Sequence, residues 1–236
     1  MSKQSSNLVI SISPKKIAKF LTLIVVGFTL VNLAGFFIQY VLGFRRLDRF
    51  IGLLNVGDDS SIPTWYSSFA LLICATLLMV IAIVKGRRKE PYFCHWAMLS
   101  IIFMVMSIDE VVMIHENMGD ILGESFKNGF FYYSWVILAI PAIIIFALAY
   151  LKFIIHLPTK IRHLFLIAGA IFVMGGLGLE MLSAFYDSLY RTSNLTYNLI
   201  MIAEEFLEML GIIIFIYALL SYLKLHLTAI QVFIKQ

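Results

Sequence analysis

Charge is what this chain has least of: Asp, Glu, Lys and Arg make up 14% of its 236 residues, against 61% apolar residues. Soluble domains carry about 25% charged residues, so the composition excludes one and points to an integral membrane protein. Polar stretches able to bury a core of their own are also missing; the longest, residues 1–16 and roughly 45–63, are too short. The chain has only two cysteines. Cys74 falls inside an apolar run and Cys94 at the edge of another, so no disulfide between them is expected and they carry no sign of redox compartment. Neither an internal repeat nor a low-complexity tract is present. The basic residues that set the pI near 9 are split among short loops. They form no basic face with interleaved aromatics, which excludes a nucleic-acid surface.

What the chain does have is apolar sequence in six runs, near 17–43, 64–84, 95–115, 132–151, 164–186 and 198–223. Each reaches the ~20 residues that a helix needs to cross ~30 Å of hydrocarbon. The expected fold is all-α: a polytopic bundle of six transmembrane helices forming one domain over 1–236, with 1–16 as a cytoplasmic tail and 44–62 as an extracytoplasmic loop. The first run is longer than a signal-peptide core and no small-residue cleavage site follows it, so it is expected to remain as a span. Thirteen of the 18 Lys and Arg fall on one set of connections: Lys3, Lys15, Lys16 and Lys19, then Lys85, Arg87, Arg88 and Lys89, then Lys152, Lys160 and Arg162, then Lys224 and Lys235. The positive-inside rule then puts both termini in the cytoplasm, in a multi-pass protein of the cell membrane, the inner membrane for a bacterial chain.

Smaller features fit this plan. Trp65, Tyr66, Tyr92, Trp96, Tyr132, Tyr133, Trp135 and Tyr222 fall at span edges, where interfacial anchoring is the simplest role. From Phe44 to Leu54, Arg45, Arg46 and Arg49 alternate with apolar residues, the pattern of a short amphipathic helix lying on the outer surface. Asp58, Asp59, Ser60 and Ser61 before Pro63 mark a loop and a helix start. Asn32 and Gln39, one heptad apart, are expected to hydrogen-bond between helices.

Seven carboxylates and one histidine break the apolar pattern: Asp109, Glu110, Glu116, Glu180, Glu204, Glu205, Glu208 and His115, with nothing basic in the same stretches. An acid at the centre of a span costs about 2.5–3.5 kcal/mol on the insertion scale, so a group of them needs cations, shared protons or water. Alternating helix direction puts all seven in the outer half of the bilayer. With a 100° step per residue, Asp109, Met113, Glu116 and Asp120 share one stripe of the third span, with His115 and Glu110 about 100° to either side. On the sixth span Glu204, Glu208 and Gly211 share a stripe with Tyr197 and Met201, and Glu205 is offset. The fifth puts Gly169, Gly176, Glu180, Ala184 and Asp187 on one face, small enough for a neighbouring helix to come close. Water exposure alone suffices to explain Glu116, Asp120 and Asp187.

An oxygen-rich cage with at most one imidazole suits Mg²⁺, Ca²⁺, Mn²⁺ or iron better than structural zinc or copper. Glu205 and Glu208 have the i, i+3 spacing of a di-iron bundle pair, with Glu in place of its His. His115-Glu116 starts like a zinc-protease motif, but Gly119 stands where the second His is needed. Asp109, Glu110, Glu180, Glu204, Glu205 and Glu208 are therefore the expected metal ligands, and His115 and Glu116 the catalytic pair, in a metal-dependent hydrolase or oxidoreductase acting on a lipid or other apolar substrate. The alternative is a cation or proton transporter using the same carboxylates, and a third is a bundle whose metal only holds helices together. Membrane lipids are the expected partners, and a homo-oligomer would supply a second set of acids. The segments Ile62 to Ser68, Ser107-Ile108-Asp109-Glu110 with His115-Glu116, Gly178-Leu179-Glu180 and Glu204 to Gly211 together resemble a family of bacterial multi-spanning membrane proteins without an established activity. That resemblance implies that these positions work as one unit.

Overall fold

The computed structural model describes residues 13–40, 42–43, 52–58, 60–121, 127–190 and 194–226. Its elements are α1 (Pro14–Tyr40), α2 (Ile62–Arg87), α3 (Phe93–Val112), α4 (Ile114–Ile121), α5 (Val136–His156), α6 (Thr159–Val173), a π-helical segment (Met174–Leu179), α7 (Glu180–Tyr190) and α8 (Leu195–His226). No strand occurs among the described residues, so the fold is all-α. Six helices are long and apolar enough to cross a membrane, α6, the π segment and α7 counting as one rod of 32 residues. The chain is a multi-pass membrane protein. The amphipathic helix expected over 44–54 lies largely outside the described residues.

α8 is the hub. It packs against α1, α2, α6 and the π segment, and 61% of its apolar window is buried, against 11% for α5, which faces the hydrocarbon on most sides. One core cluster gathers Trp96, Phe153, Phe165, Ile216, Leu219 and Tyr222 at the end where the basic residues collect. A second joins Val25 and Phe36 of α1 to Ile202, Met209 and Ile213 of α8. Trp96 and Tyr222 thus depart from the expected role of interfacial anchors: they are 1% and 3% exposed, and their rings meet at 4.8 Å within the core. Trp65, by contrast, is 66% exposed.

Polar and small residues fasten the helices where apolar contact with lipid gives no preference. Ser68 Oγ donates to Ser107 O at 2.6 Å and Ser107 Oγ returns a bond to Ser68 O at 2.8 Å, stapling α2 to α3. Gly211 lets α8 approach α6: a Cβ there would lie 2.9 Å from Phe172 Cβ and 3.0 Å from Ala168 O. Gly169, expected in a similar contact, has nothing within 4 Å. Ser61 caps α2 by accepting from Thr64 N at 3.3 Å, with Pro63 in the first turn. Asn32 differs from expectation. Instead of joining two spans it clamps the connecting loop, donating to Leu54 O at 2.6 Å and accepting from Val56 N at 3.1 Å. Both cysteines are unpaired.

Candidate intramembrane carboxylate site

The third span does not continue through His115. α3 stops at Val112 because Met113 takes a left-handed conformation, φ 55° and ψ 44°, while its N–H bonds back to Asp109 O at 2.7 Å. A non-glycine residue there is uncommon and costs on the order of 1 kcal/mol. The break is offset locally by Asp109, whose carboxylate takes the free N–H of His115 at 2.9 Å (Oδ1) and its ring Nδ1 at 2.7 Å (Oδ2). The stripe drawn through Asp109, Glu116 and Asp120 on one continuous helix is therefore replaced by a kink that folds His115 back onto Asp109. Burial works against a charge on His115, but the Asp109 hydrogen bond and charge, with Glu180 and Glu116 adding to them, hold the imidazole above its ordinary range.

Glu180 begins α7 directly after the π-helical turn Met174-Gly175-Gly176-Leu177-Gly178-Leu179, and its N–H reaches five residues back to Gly175 O. Three glycines in six residues supply the slack for this wide turn, a device common at functional sites. They also leave room for α8. A Cβ on Gly175 would lie 2.8 Å from Glu204 O and 3.0 Å from Glu208 N, and one on Gly176 2.7 Å from Glu208 Oε1. The Glu208 carboxylate thus rests on bare glycine backbone, with Glu205, Glu110, Glu204 and Glu180 within electrostatic range.

Two side chains without a place in the sequence-derived site complete it. Trp135, expected to be an interfacial anchor, donates its indole Nε1–H to Glu180 Oε1 at 2.6 Å, and its ring meets that of His115 edge-on at 4.7 Å. Ser183 contacts Glu204 Oε2 at 3.3 Å and Glu180 O at 2.9 Å. Nearby, the hydroxyls of Tyr133 and Tyr197 share a 2.9 Å hydrogen bond. Tryptophan and tyrosine at a span edge look alike in sequence whether they face headgroups or a polar pocket, and a lone serine gives no signal.

The structure brings together Asp109 with His115, and Glu180, Glu204 and Glu208 along the contact of α8 with the π segment and α7. Glu110 and Glu205 lie within electrostatic range of Glu208. Glu116 stands exposed in the first turn of α4. Glu180, Glu204 and Glu208 form no ion pair with Lys or Arg among the described residues. Nor, among those residues, do three His, Cys, Asp or Glu side chains converge closely enough to hold a metal ion. As arranged, Asp109, Glu180 and Glu204 take separate partners, His115, Trp135 and Ser183.

The profile of a family described as a domain of unknown function (DUF8692) matches residues 18–223, which include every element from α2 to the π segment and α7, and most of α1 and α8. The chain belongs to that family. No curated protein and no solved structure matches it.

Proposed function

We propose that this member of the family binds and releases a proton at the carboxylate series, as the coupling site of a transport step. The supporting observation is the partnering of Glu180 and Glu204. Both carboxylates meet neutral donors, Trp135 and Ser183, inside helices suited to hydrocarbon; His115 is within electrostatic range of Glu180, but one imidazole beside several carboxylates leaves negative charge that calls for a proton or a cation. Ser183 sharpens the point. Its single hydroxyl hydrogen faces two acceptors, Glu180 O and Glu204 Oε2, and a proton on Glu204 satisfies both contacts. His115, exchangeable near neutral pH, and Asp109 are partly exposed, with His115 within electrostatic range of Glu180. The basic-residue bias supports a cytoplasmic location for both termini and an extracytoplasmic location for this site, in the cell membrane.

A metal-dependent enzyme acting on a lipid is the second reading, favoured by the four other carboxylates within range of Glu208. It requires the glutamates to rotate into a common shell, with His115 and Glu116 as the catalytic pair. Two measurements separate the readings. Dicyclohexylcarbodiimide, which modifies protonated carboxyls in apolar surroundings, should label Glu204 or Glu208 in detergent-purified protein and fail in a Glu204→Gln, Glu208→Gln variant. Metal analysis of wild type and a Glu180→Gln, Glu208→Gln variant should show no stoichiometric ion. Bound Mg, Ca, Mn or Fe that disappears in the variant would overturn the proton reading and establish the enzyme reading as the one to assay.

A further inference from the structure

At the opposite end of the bundle from the carboxylates, a cavity of about 210 Å³ opens among the ends of α2, α3, α5 and α8. Its wall includes Lys85, Glu90, Tyr92, His156, Tyr222 and His226. We propose that it seats the phosphate headgroup of an anionic phospholipid. Lys85 is the anchor: its side chain is only 12% exposed, and it is held at 2.7 Å from Glu90 and 5.8 Å above the Tyr222 ring. Arg88 stands on the adjoining surface, its Nη1 3.7 Å from the same carboxylate. Two cations therefore share one carboxylate, which is 35% exposed in the loop after α2. A phosphate with two anionic oxygens can take the place of Glu90 between Lys85 and Arg88. The two imidazoles add ring nitrogens. His226 Nδ1 donates to Tyr222 O at 3.0 Å, so in the neutral ring its Nε2 is an acceptor for a hydroxyl of the headgroup, and His156 packs on Tyr92 at 4.9 Å.

A lipid fits better than a soluble phosphate because of where the cavity lies. It opens at the ends of helices long and apolar enough to cross a membrane, the level at which headgroups sit, and Trp96, Phe153 and Leu157 give its wall an apolar part beside the polar groups. The surrounding ends of α1, α6 and α8 carry further Lys and Arg, which attract the same anionic lipids.

The experiment is native mass spectrometry of the full-length protein in detergent micelles supplied with phosphatidylglycerol and phosphatidylcholine of identical chains. Wild type should retain phosphatidylglycerol preferentially. A Lys85→Gln, Arg88→Gln variant should lose about 25-fold in that retention, on the order of fivefold per basic residue. Lys152→Gln, an exposed residue of α5 outside the cavity, should leave it unchanged. Glu90→Gln keeps both cations and removes their competitor, so it should raise retention several-fold, and it decides the matter if the double variant fails to fold. Equal retention of the two lipids by wild type, or no response to Glu90→Gln, overturns the proposal. Complete displacement of phosphatidylglycerol by millimolar inorganic phosphate overturns the lipid assignment in favour of a soluble anion.

Discussion

Alanine at three glycines of one membrane rod should give three different outcomes. Gly169, Gly175 and Gly176 all lie between Thr159 and Tyr190, and each substitution gains up to about 1 kcal/mol of helix propensity. Gly169 has nothing within 4 Å, so Gly169→Ala should keep that gain. Gly175 faces backbone: the new Cβ would lie 2.8 Å from Glu204 O and 3.0 Å from Glu208 N, and α8 can yield only by moving as a rod. Overpacking costs about 1–3 kcal/mol; with rigid neighbours the upper part of that range applies, for a net loss of about 1–2 kcal/mol. Gly176 faces the end of a side chain, Glu208 Oε1 at 2.7 Å, which rotates away cheaply. Gly176→Ala should therefore stay within about 1 kcal/mol of wild type while displacing the Glu208 carboxylate. Unfolding by sodium dodecyl sulfate titration in mixed micelles, followed by circular dichroism, gives the stabilities, and carbodiimide labelling of Glu208 reports the displacement. A Gly175→Ala protein as stable as Gly169→Ala, or a Gly176→Ala protein with unchanged labelling, would refute the seating of Glu208 on the π turn.

Three further outcomes follow from single contacts. Because His115 binds its proton more tightly folded than unfolded, its contribution to stability is complete below the unfolded value of about 6.5 and is lost as pH rises through the raised folded value. Stability measured against pH should fall over that window in wild type and much less in Asp109→Asn, and a slope unchanged by the substitution would contradict the pairing. Trp135→Phe keeps an aromatic ring against His115 but removes the donor to Glu180, at a cost of about 1–3 kcal/mol, with the appearance of carbodiimide labelling at Glu180 as the specific readout. Asn32→Leu leaves Leu54 O and Val56 N without their clamp, so amide exchange over residues 52–58 should accelerate while that of α2 stays slow.

The spans were legible because crossing a membrane is decided by hydropathy summed over ~20 residues, a quantity that needs no knowledge of neighbours. The ends were less so: the third apolar run carries on to 115, whereas α3 stops at Val112. No glycine or asparagine announces that stop, and Met113 enters the left-handed region only because Asp109, four residues earlier, receives the backbone and ring of His115 at the start of the next helix. The stabilising contact and the strain it offsets involve the same few residues, yet each makes sense only in the presence of the other. Facing on α8 was a different matter. With no break in a helix of 32 residues, the 100° step correctly placed Glu204, Glu208 and Gly211 on one stripe, and all three meet the rod formed by α6, the π segment and α7. On that rod the same step put Gly176 and Glu180 on one face without indicating that the glycine is a seat for a carboxylate of α8. A π turn adds a residue to the helical count, so angular bookkeeping drifts at the very place where the acidic side chains are set. The two departures have a common physical origin. Both occur where backbone regularity is given up next to a carboxylate, and irregular backbone within a membrane persists only where side chains of the protein itself satisfy it.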